Sequence, residues 1–189
     1  MNCYDFDKTI YKNDSSIDFY KYCLLHYPKI LRHLPAQIKA FYQYYIKHEI
    51  TKTEMKEIFY RYFADVYDME DALEDFWDKN LYKIKGFYTL QKQEEDVIIS
   101  ASPAFFLAPI CKELGVGALI ASEVDPKTGK YQGENCHGEE KVTRFRALYP
   151  DAVVDEFYSD SLSDTPMAML AEKAFLVKGK ERLDWPEVE

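Results

Sequence analysis

Apolar runs alternate with helix-forming stretches along the second half of this 189-residue chain, and no other feature restricts the fold as strongly. The apolar runs are 97–99, 118–120 and 153–158, and the helix-forming stretches are 104–114, 141–148 and 165–172. Strands that alternate with helices in this way are typical of parallel sheets covered by helices. The sequence therefore predicts an α/β fold with a parallel sheet flanked by helices.

The region from residue 14 to about residue 88 has a different pattern, because it is rich in helix formers and long aromatic side chains and has no alternating strand. Four helices are expected there. The first runs from the caps at Asp14, Ser15 and Ser16 through His26, and the second runs from Pro28 toward Lys47. The third begins at the capping box of Thr51 and Glu54, and the fourth covers residues 68–80. A short apolar run at 2–6 is the expected first strand. We therefore predict a core of residues 1–13 and 89–189, interrupted by an all-helical domain of residues 14–88.

Residues 123–131 lie between two of the predicted core elements and have the composition of a β-hairpin. Gly129 would supply the positive φ that such turns need. We expect this hairpin to extend from the edge of the sheet.

The composition is that of an ordinary folded protein, with 47% hydrophobic and 30% charged residues. The 16 Tyr and 12 Phe residues are expected mainly in the core or lining a groove. We expect neither a membrane-spanning segment, which needs roughly 18 apolar residues, nor a signal peptide, because the sequence begins with an acidic strand. The net charge of −9 disfavours binding to nucleic acid.

The four cysteines, Cys3, Cys23, Cys111 and Cys136, are scattered and form no C-x-x-C pair. This spacing is typical of reduced thiols, so we expect a cytoplasmic protein. Cys136 and His137 are adjacent, but two neighbouring residues seldom coordinate one zinc ion without partners elsewhere in the chain.

Asp5 and Asp7 directly follow the first apolar run. Residues two apart in a strand share a face, so both carboxylates are expected to leave the C-terminal end of this strand in the same direction. In open α/β sheets that edge is where ligands bind. Two carboxylates held so closely repel each other unless one is protonated or a cation lies between them. The pair predicts a raised pKa or a bound divalent metal, although Asp-x-Asp also occurs in turns and helix caps.

Ser100 follows the apolar run 97–99 and is expected at the same edge of the sheet. Its hydroxyl and the backbone amides that follow it can bind phosphate oxygens. The same stretch also has the pattern of a helix cap, with Ser102 as the N-cap and Pro103 in the first helical position. The two interpretations are compatible.

Lys141 lies at the start of a predicted helix, where a cation opposes the helix dipole and needs either solvent or an anion such as phosphate. Asp160 and Asp164 follow the run 153–158 and bring two more carboxylates to the sheet edge. Their oxygens suit a hard cation such as Mg²⁺, although a Ser- and Asp-rich loop of this kind also caps helices.

Together these motifs resemble the haloacid dehalogenase superfamily in type and in order. Its pattern is Asp-x-Asp-x-Thr after the first strand, Ser or Thr after the second, a later Lys, and an acidic pair after the fourth. The matching residues are Asp5, Asp7, Thr9, Ser100, Lys141, Asp160 and Asp164. The helical insertion lies where the C1 cap of this superfamily belongs. This insertion and the stretches 128–134 and 138–141 resemble the phosphoserine phosphatase-like branch (subfamily IB). The resemblance implies a Rossmann-like core with a four-helix-type C1 cap.

The resemblance implies the catalytic roles. Asp5 would be the nucleophile that forms an aspartyl-phosphate. Asp7 would be the acid that protonates the leaving oxygen and the base that then deprotonates the hydrolytic water. Ser100 and Lys141 would hold the phosphoryl oxygens and neutralise their charge.

The resemblance also implies a Mg²⁺ site and a substrate site. The metal would be held by Asp5, the backbone carbonyl of Asp7, and Asp160, while Asp164 would bind through water or orient Lys141. The expected substrate-binding residues are Thr9, Asp14, Ala101 and Ser102. Asp14 matches an acid that meets a substrate amine in phosphoserine enzymes, but it is also a good N-cap.

Some positions depart from the common pattern of this branch. Ser159 and Ala101 replace frequent glycines, and Ser163 stands where Asn often precedes the second acid. None of these changes removes a reacting group. They weaken an assignment to phosphoserine phosphatase itself, as does the absence of an identifiable carboxylate-binding arginine, since Arg32 and Arg61 are the only arginines in residues 14–88.

Three functions are compatible with this sequence. A phosphatase of small phosphorylated metabolites is favoured, because every catalytic position is filled. A lipid head-group phosphatase of the phosphatidylglycerophosphatase type is the alternative, and a non-catalytic phosphate- or metal-binding protein is the third. Residues 20–52 contain six basic residues and one acidic residue, a net of +5. This charge suits an anionic substrate or contact with an anionic membrane surface, although a solvated helical face is the simpler interpretation.

Overall fold

The computed structural model describes residues 1–187, which contain a six-stranded sheet in the order β3-β2-β1-β4-β5-β6. The strands are β1 (Cys3–Tyr4), β2 (Val97–Pro103), β3 (Ala118–Ser122), β4 (Val154–Ser159), β5 (Ala171–Lys178) and β6 (Glu181–Asp184). Strands β1 to β5 pair in parallel, and β6 pairs antiparallel with β5. The predicted α/β fold with a mainly parallel sheet is confirmed.

The helices connect the strands and cover the sheet. They are α1 (Ser15–His26), α2 (Leu34–Tyr42), α3 (Lys52–Tyr60), α4 (Met69–Asn80), α5 (Gly86–Gln91), α6 (Ala104–Glu113), α7 (Glu139–Leu148) and α8 (Thr165–Ala168). Helices α1 to α5 all lie between β1 and β2 in the chain. The sequence predicted the helical stretches that contain the first four, whereas α5 was not predicted and extends past residue 88. Among residues 1–187, no helix is long and apolar enough to cross a membrane.

Strand β1 is only two residues long, but it lies in the middle of the sheet. Cys3 pairs with Val97 of β2 on one side and with Phe157 of β4 on the other. All three strands run in the same direction, so the segments that leave their carboxyl ends meet at one edge of the sheet. This pairing is what brings residues near 5, 100 and 160 together.

The predicted starts of the inserted helices are confirmed where a cap marked them. Asp14 caps α1 with its side chain, and Thr51 and Glu54 form the predicted capping box of α3. The stretch from Pro28 to Lys47 is helical, but it consists of a 3₁₀ segment (Pro28–His33), α2, and a π segment (Gln43–Lys47). These changes in helical type occur without a cap at either junction.

The prediction of a helix over residues 165–172 is wrong in its second half. Helix α8 ends at Ala168, and residue 171 already begins β5. Glu172, the predicted end of this helix, is in the structure a solvent-exposed residue of a strand near the sheet edge. Pairing with β4 on one side and β6 on the other decides the conformation of this segment.

An aromatic cluster joins the helical insertion to the core. Phe19 of α1 and Phe76 and Trp77 of α4 pack around Phe106 of α6, with ring centroids 5.0–5.9 Å from that of Phe106. The Trp77 indole also donates a hydrogen bond to the Phe106 carbonyl over 2.8 Å. Aromatic burial of this kind contributes much of a small protein's packing energy, and it accounts for many of the aromatic residues in the sequence.

The predicted hairpin is present in outline, and its turn contacts α3. Val124 bridges antiparallel to Tyr131, and Gly129 has a φ of +73°. A Cβ placed on Gly129 would lie 2.5 Å from the backbone carbonyl of Tyr60, at the end of α3. The Tyr131 amide also donates to the Glu57 carboxylate over 2.9 Å. The hairpin thus holds the helical insertion against the core.

We predict that Gly129→Ala destabilises the protein more than Gly115→Ala. Both glycines have positive φ, but the space around Gly115 is open. The change at Gly115 should cost about 1 kcal/mol of unfolding free energy. The change at Gly129 should cost about 2–4 kcal/mol, because the new methyl group also meets backbone that cannot move easily. Urea unfolding of both variants tests this, and equal losses would show that the hairpin is not held against α3.

Candidate active site

The carboxyl ends of β1, β2 and β4 open into one cavity of about 350 Å³. Asp5 follows β1, Ser100 lies within β2, and Asp160 follows β4. All three line the cavity, together with Lys141 from α7. The structure therefore brings together one residue from each of the four motifs that the sequence analysis selected. Residues of α3 cover the cavity from the opposite side.

Asp5 is 7% exposed and has partners on both carboxylate oxygens. Lys141 donates to Oδ1 over 2.7 Å, and the Thr9 hydroxyl donates to Oδ2 over 3.1 Å. Burial raises the pKa of Asp5, and the charges of Asp164 and Asp7 add to this effect while Lys141 opposes it. A further cation at the cavity would favour the ionised carboxylate.

Lys141 is buried and makes an ion pair with each of two carboxylates. Its Nζ lies 2.7 Å from Asp5 Oδ1 and 2.7 Å from Asp164 Oδ2. Burial alone would lower the pKa of Lys141, but the two carboxylates outweigh burial and hold the pKa above its usual value. The Ser159 hydroxyl also donates to Asp164 Oδ2 over 2.7 Å. Asp164 is thus placed to orient a protonated Lys141, which is one of its two roles expected from the sequence.

Asp7 has a different set of partners from Asp5. Its Oδ1 accepts the Ser15 amide and its Oδ2 accepts the Ser102 hydroxyl, each over 2.6 Å. Burial raises the pKa of Asp7, and repulsion from Asp14 adds to the shift while the two hydrogen bonds oppose it. Such an environment suits a carboxyl group that must hold a proton in one step and release it in another.

Ser102 does not cap α6, contrary to the prediction from sequence. The helix begins at Ala104, and Pro103 occupies the cap position. Strand β2 continues as far as Pro103, so Ser102 lies in extended backbone, where its hydroxyl reaches Asp7 instead of the helix amides. Ala101 lines the cavity beside it.

The remaining predicted substrate residues lie in two different places. Asp14 lines the cavity, and its Oδ1 accepts the Ile17 amide over 3.0 Å, so its role as an N-cap is confirmed. Thr9 is fully buried and is not among the residues that line the cavity. Its hydroxyl donates to Asp5 and accepts the Asp160 amide over 2.9 Å, which ties the segment after β1 to the segment after β4.

The donor set fits a hard divalent cation. Asp160 is half-buried and lines the cavity, and its carboxylate makes no hydrogen bond or ion pair with the described residues. Burial raises the pKa of Asp160, so a cation would stabilise its ionised form. In residues 1–187 no group of three His, Cys, Asp or Glu side chains is arranged to hold a metal. Two carboxylates with a backbone carbonyl and water are nevertheless a suitable set for Mg²⁺, which keeps several waters.

Lys52, Lys56 and His137 line the cavity but were not predicted as site residues, although Lys52 belongs to the basic region 20–52. Lys52 Nζ lies 2.9 Å from His137 Nε2, and Lys56 donates to the Ala101 carbonyl over 2.8 Å. Burial lowers the pKa of Lys52 and lowers that of Lys56 to about 8. The signal in the sequence was the spacing of four between the lysines, which places both on one face of α3.

Comparison with known proteins shows which family the chain belongs to. The model of the family described as "haloacid dehalogenase-like hydrolase" matches residues 3–169. Protein CicA of Caulobacter vibrioides is 35% identical over 83 residues, which are 41% of this chain and 37% of that protein. The match thus spans less than half the length of this curated relative.

Similar solved structures support the fold. A protein of unknown function from Bordetella pertussis Tohama I has a TM-score of 0.76 at 20% identity, covering 92% of this chain and 87% of that chain. A probable phosphoserine phosphatase from Vibrio cholerae has a TM-score of 0.59 at 13% identity, covering 92% and 55%. A phosphoserine phosphohydrolase-like protein from Francisella tularensis has a TM-score of 0.55 at 16% identity, covering 92% and 86%. With the family model matching most of its length, the chain belongs to the haloacid dehalogenase-like hydrolases.

Proposed function

We propose that this protein is a Mg²⁺-dependent phosphomonoester hydrolase that acts on small phosphorylated metabolites through an aspartyl-phosphate. The observation that carries the proposal is the different environment of two carboxylates at the end of one strand. Asp5 contacts the cation Lys141, which favours its ionised form, whereas Asp7 forms no ion pair with a described residue, and burial and repulsion from Asp14 favour its protonated form. A nucleophile must stay ionised and an acid must carry a proton, so the two environments match the two roles.

Asp5 is the proposed nucleophile. One of its oxygens attacks phosphorus, the bond between phosphorus and the leaving oxygen breaks, and the phosphoryl group is transferred to the carboxylate. Lys141, 2.7 Å from Asp5, neutralises negative charge on the phosphoryl oxygens as well as on Asp5 itself. Thr9 fixes the orientation of the carboxylate from below the cavity.

Asp7 is the proposed general acid and base. Its raised pKa lets it hold the proton that it delivers to the leaving oxygen. The ionised Asp7 then accepts a proton from the water that attacks phosphorus, and the bond from phosphorus to Asp5 breaks. The hydrogen bonds from Ser15 and Ser102 keep the carboxyl group fixed between the two steps.

Ser100 is the proposed second contact for the transferred phosphoryl group. It is 1% exposed and lines the cavity. Its Oγ accepts the Ser102 amide over 3.1 Å, which leaves the hydroxyl proton available for a phosphoryl oxygen. Mg²⁺, held by Asp5, the Asp7 carbonyl and Asp160, would supply positive charge to the same oxygens.

We predict that Asp160 and Asp164 differ in their effect on metal binding. Mg²⁺ at about 100 times its Kd should raise the Tm of the wild type by about 5 °C or more. Asp160→Asn should abolish this rise, because it removes a ligand. Asp164→Asn should lower the Tm without metal but keep most of the rise, because Asp164 contacts Lys141. Thermal unfolding with Mg²⁺ and with EDTA measures both effects, and equal loss of the rise in the two variants would make Asp164 a ligand too.

We predict that Asp5→Asn lowers phosphate release by roughly 10⁴-fold or more, because an amide cannot act as the nucleophile. The fold should be retained, since the amide oxygen can still accept from Lys141 and the amide nitrogen can donate to the Thr9 hydroxyl oxygen. The exposed Asp151→Asn is the matched control and should keep full turnover. The assay is Mg²⁺-dependent hydrolysis of p-nitrophenyl phosphate, and near-normal turnover in Asp5→Asn would exclude this residue as the nucleophile.

The cavity also indicates the size and charge of the substrate. Its volume of about 350 Å³ is at the small end of ligand sites, which span roughly 300–1,000 Å³. Lys52 and Lys56 line it from α3 and make no ion pair among residues 1–187. Two cations without carboxylate partners would favour a leaving group that carries an acidic substituent. We infer that the substrate is a small phosphomonoester with a second anionic group.

We predict that Lys52→Met and Lys56→Met each raise the KM for phosphoglycolate by about tenfold, the effect of losing one charge-assisted hydrogen bond. The KM for ethyl phosphate, which has the same number of carbons and no carboxylate, should change little. Lys127→Met, at an exposed position of the hairpin, is the matched control. Parallel losses for both substrates would instead assign the lysines to the transferred phosphoryl group.

A further inference from the structure

Helix α2 and the π segment that follows it have an apolar stripe that faces solvent. Leu34, Ile38, Tyr42 and Tyr45 recur at spacings of four, four and three, and each is between 39% and 60% exposed. Residues at these spacings lie on one face of a helix. The opposite face, which includes Ala40, is already buried against the rest of the protein. The stripe is therefore additional to the core, and nothing in residues 1–187 covers it.

The segment that carries this stripe is basic. Residues 28–48 contain Lys29, Arg32, Lys39 and Lys47 and no Asp or Glu, in a chain whose net charge is −9. Arg32 is paired with Asp65, and Lys47 lies 3.4 Å from Glu49. Lys29 and Lys39 make no ion pair with any described residue, and both are exposed. The segment thus has an apolar face, a net positive charge, and two free amines to contact an anion.

The stripe also reaches the mouth of the cavity. Tyr45 is 60% exposed and at the same time lines the cavity, together with Phe41 from the same segment. A surface bound to the stripe would therefore lie beside the entrance to the active site. The cavity itself would remain on the protein side of that surface.

We propose that this face of the helical insertion docks onto an anionic lipid bilayer. Leu34, Ile38 and the tyrosines would enter the boundary between head groups and acyl chains, and the lysines would contact the anionic head groups. An exposed apolar stripe in a basic segment is the pattern of helices that lie in the plane of a membrane surface. Tyrosine is well suited to that boundary, because its ring is apolar and its hydroxyl is polar.

A second copy of the chain fits this face less well. A two-fold dimer would place the same surface against itself, so the Lys29 and Lys39 amines of one copy would approach those of the other. Like charges brought together at an interface oppose association. An anionic bilayer instead offers both an apolar layer and the opposite charge.

The first test is co-sedimentation of the protein with vesicles of phosphatidylcholine, with and without phosphatidylserine. Binding should require phosphatidylserine and should weaken as salt is added. The double variant Ile38→Glu, Tyr42→Glu should lose binding. Leu90→Glu is the control, because Leu90 is 90% exposed and lies on α5, a different helix from the stripe, and this variant should bind like the wild type.

The second test separates the charges from the apolar stripe. Replacing Lys29 and Lys39 by Gln should weaken binding roughly fivefold for each lysine. The same replacements at the exposed Lys112 and Lys180 should have little effect. Circular dichroism should show unchanged helix content in every variant, since none of the substituted residues is buried.

Three outcomes would overturn the proposal. They are no binding of the wild type to anionic vesicles, undiminished binding of the Ile38, Tyr42 variant, and a dimer in sedimentation analysis that this variant abolishes. Hydrolysis of p-nitrophenyl phosphate without vesicles should be unchanged in the variant, because Ile38 and Tyr42 do not line the cavity. Vesicle binding does not depend on turnover, so failure of the proposed docking and failure of the proposed catalysis are distinguishable.

Discussion

The buried contact of Lys141 with Asp5 and Asp164 is the interaction on which the site depends. The three residues come from α7, the segment after β1, and the segment after β4, and all are less than a tenth exposed. Removing one partner from a buried ion pair typically costs about 3–5 kcal/mol, because the other charge is left without compensation. The three segments are therefore held in one relative position. This position fixes the floor of the cavity and the direction in which Asp5 faces.

Asp5 and Asp7 line the same cavity, and their mutual repulsion is reduced because each has its own partners. Asp5 is neutralised by Lys141, while Asp7 accepts hydrogen bonds from an amide and a hydroxyl. Lys8, between Asp7 and Thr9, adopts a φ of +59°, which turns the chain sharply enough for its amide to bond to the Asn13 carbonyl over 2.9 Å. That turn brings the start of α1, and with it the Ser15 amide, back to Asp7. The left-handed backbone at Lys8 thus helps to give Asp7 a different set of partners from Asp5.

The sequence predicted the core of the site because its residues follow strands, and the order of parallel strands determines which ends meet. That order was enough to predict Asp5 and Asp160, which do follow strands. Ser100 was expected to follow a strand ending at residue 99, but β2 continues to Pro103, so Ser100 lies within the strand and still lines the cavity. Strand β5 was not predicted: residues 171 and 172 were assigned to a helix, and the conformation of the segment depends on its pairing with β4 and β6. The spacing of Lys52 and Lys56 shows that they share a face of α3, but not that this face covers the cavity. Which face of α3 covers the cavity depends on how the insertion packs against the core, and this packing cannot be predicted from the local sequence pattern.

The packing of the insertion also links substrate selection to the reacting groups. Lys56 donates to the Ala101 carbonyl, next to the proposed phosphoryl contact Ser100, so α3 touches the strand that holds the transferred group. The hairpin holds the same helix from its other side, through Glu57. Displacing α3 from the core would break the first contact and strain or break the second. Both contacts are with core segments that flank the cavity, so a shift of α3 would move the groups proposed to select the substrate relative to Asp5 and Lys141.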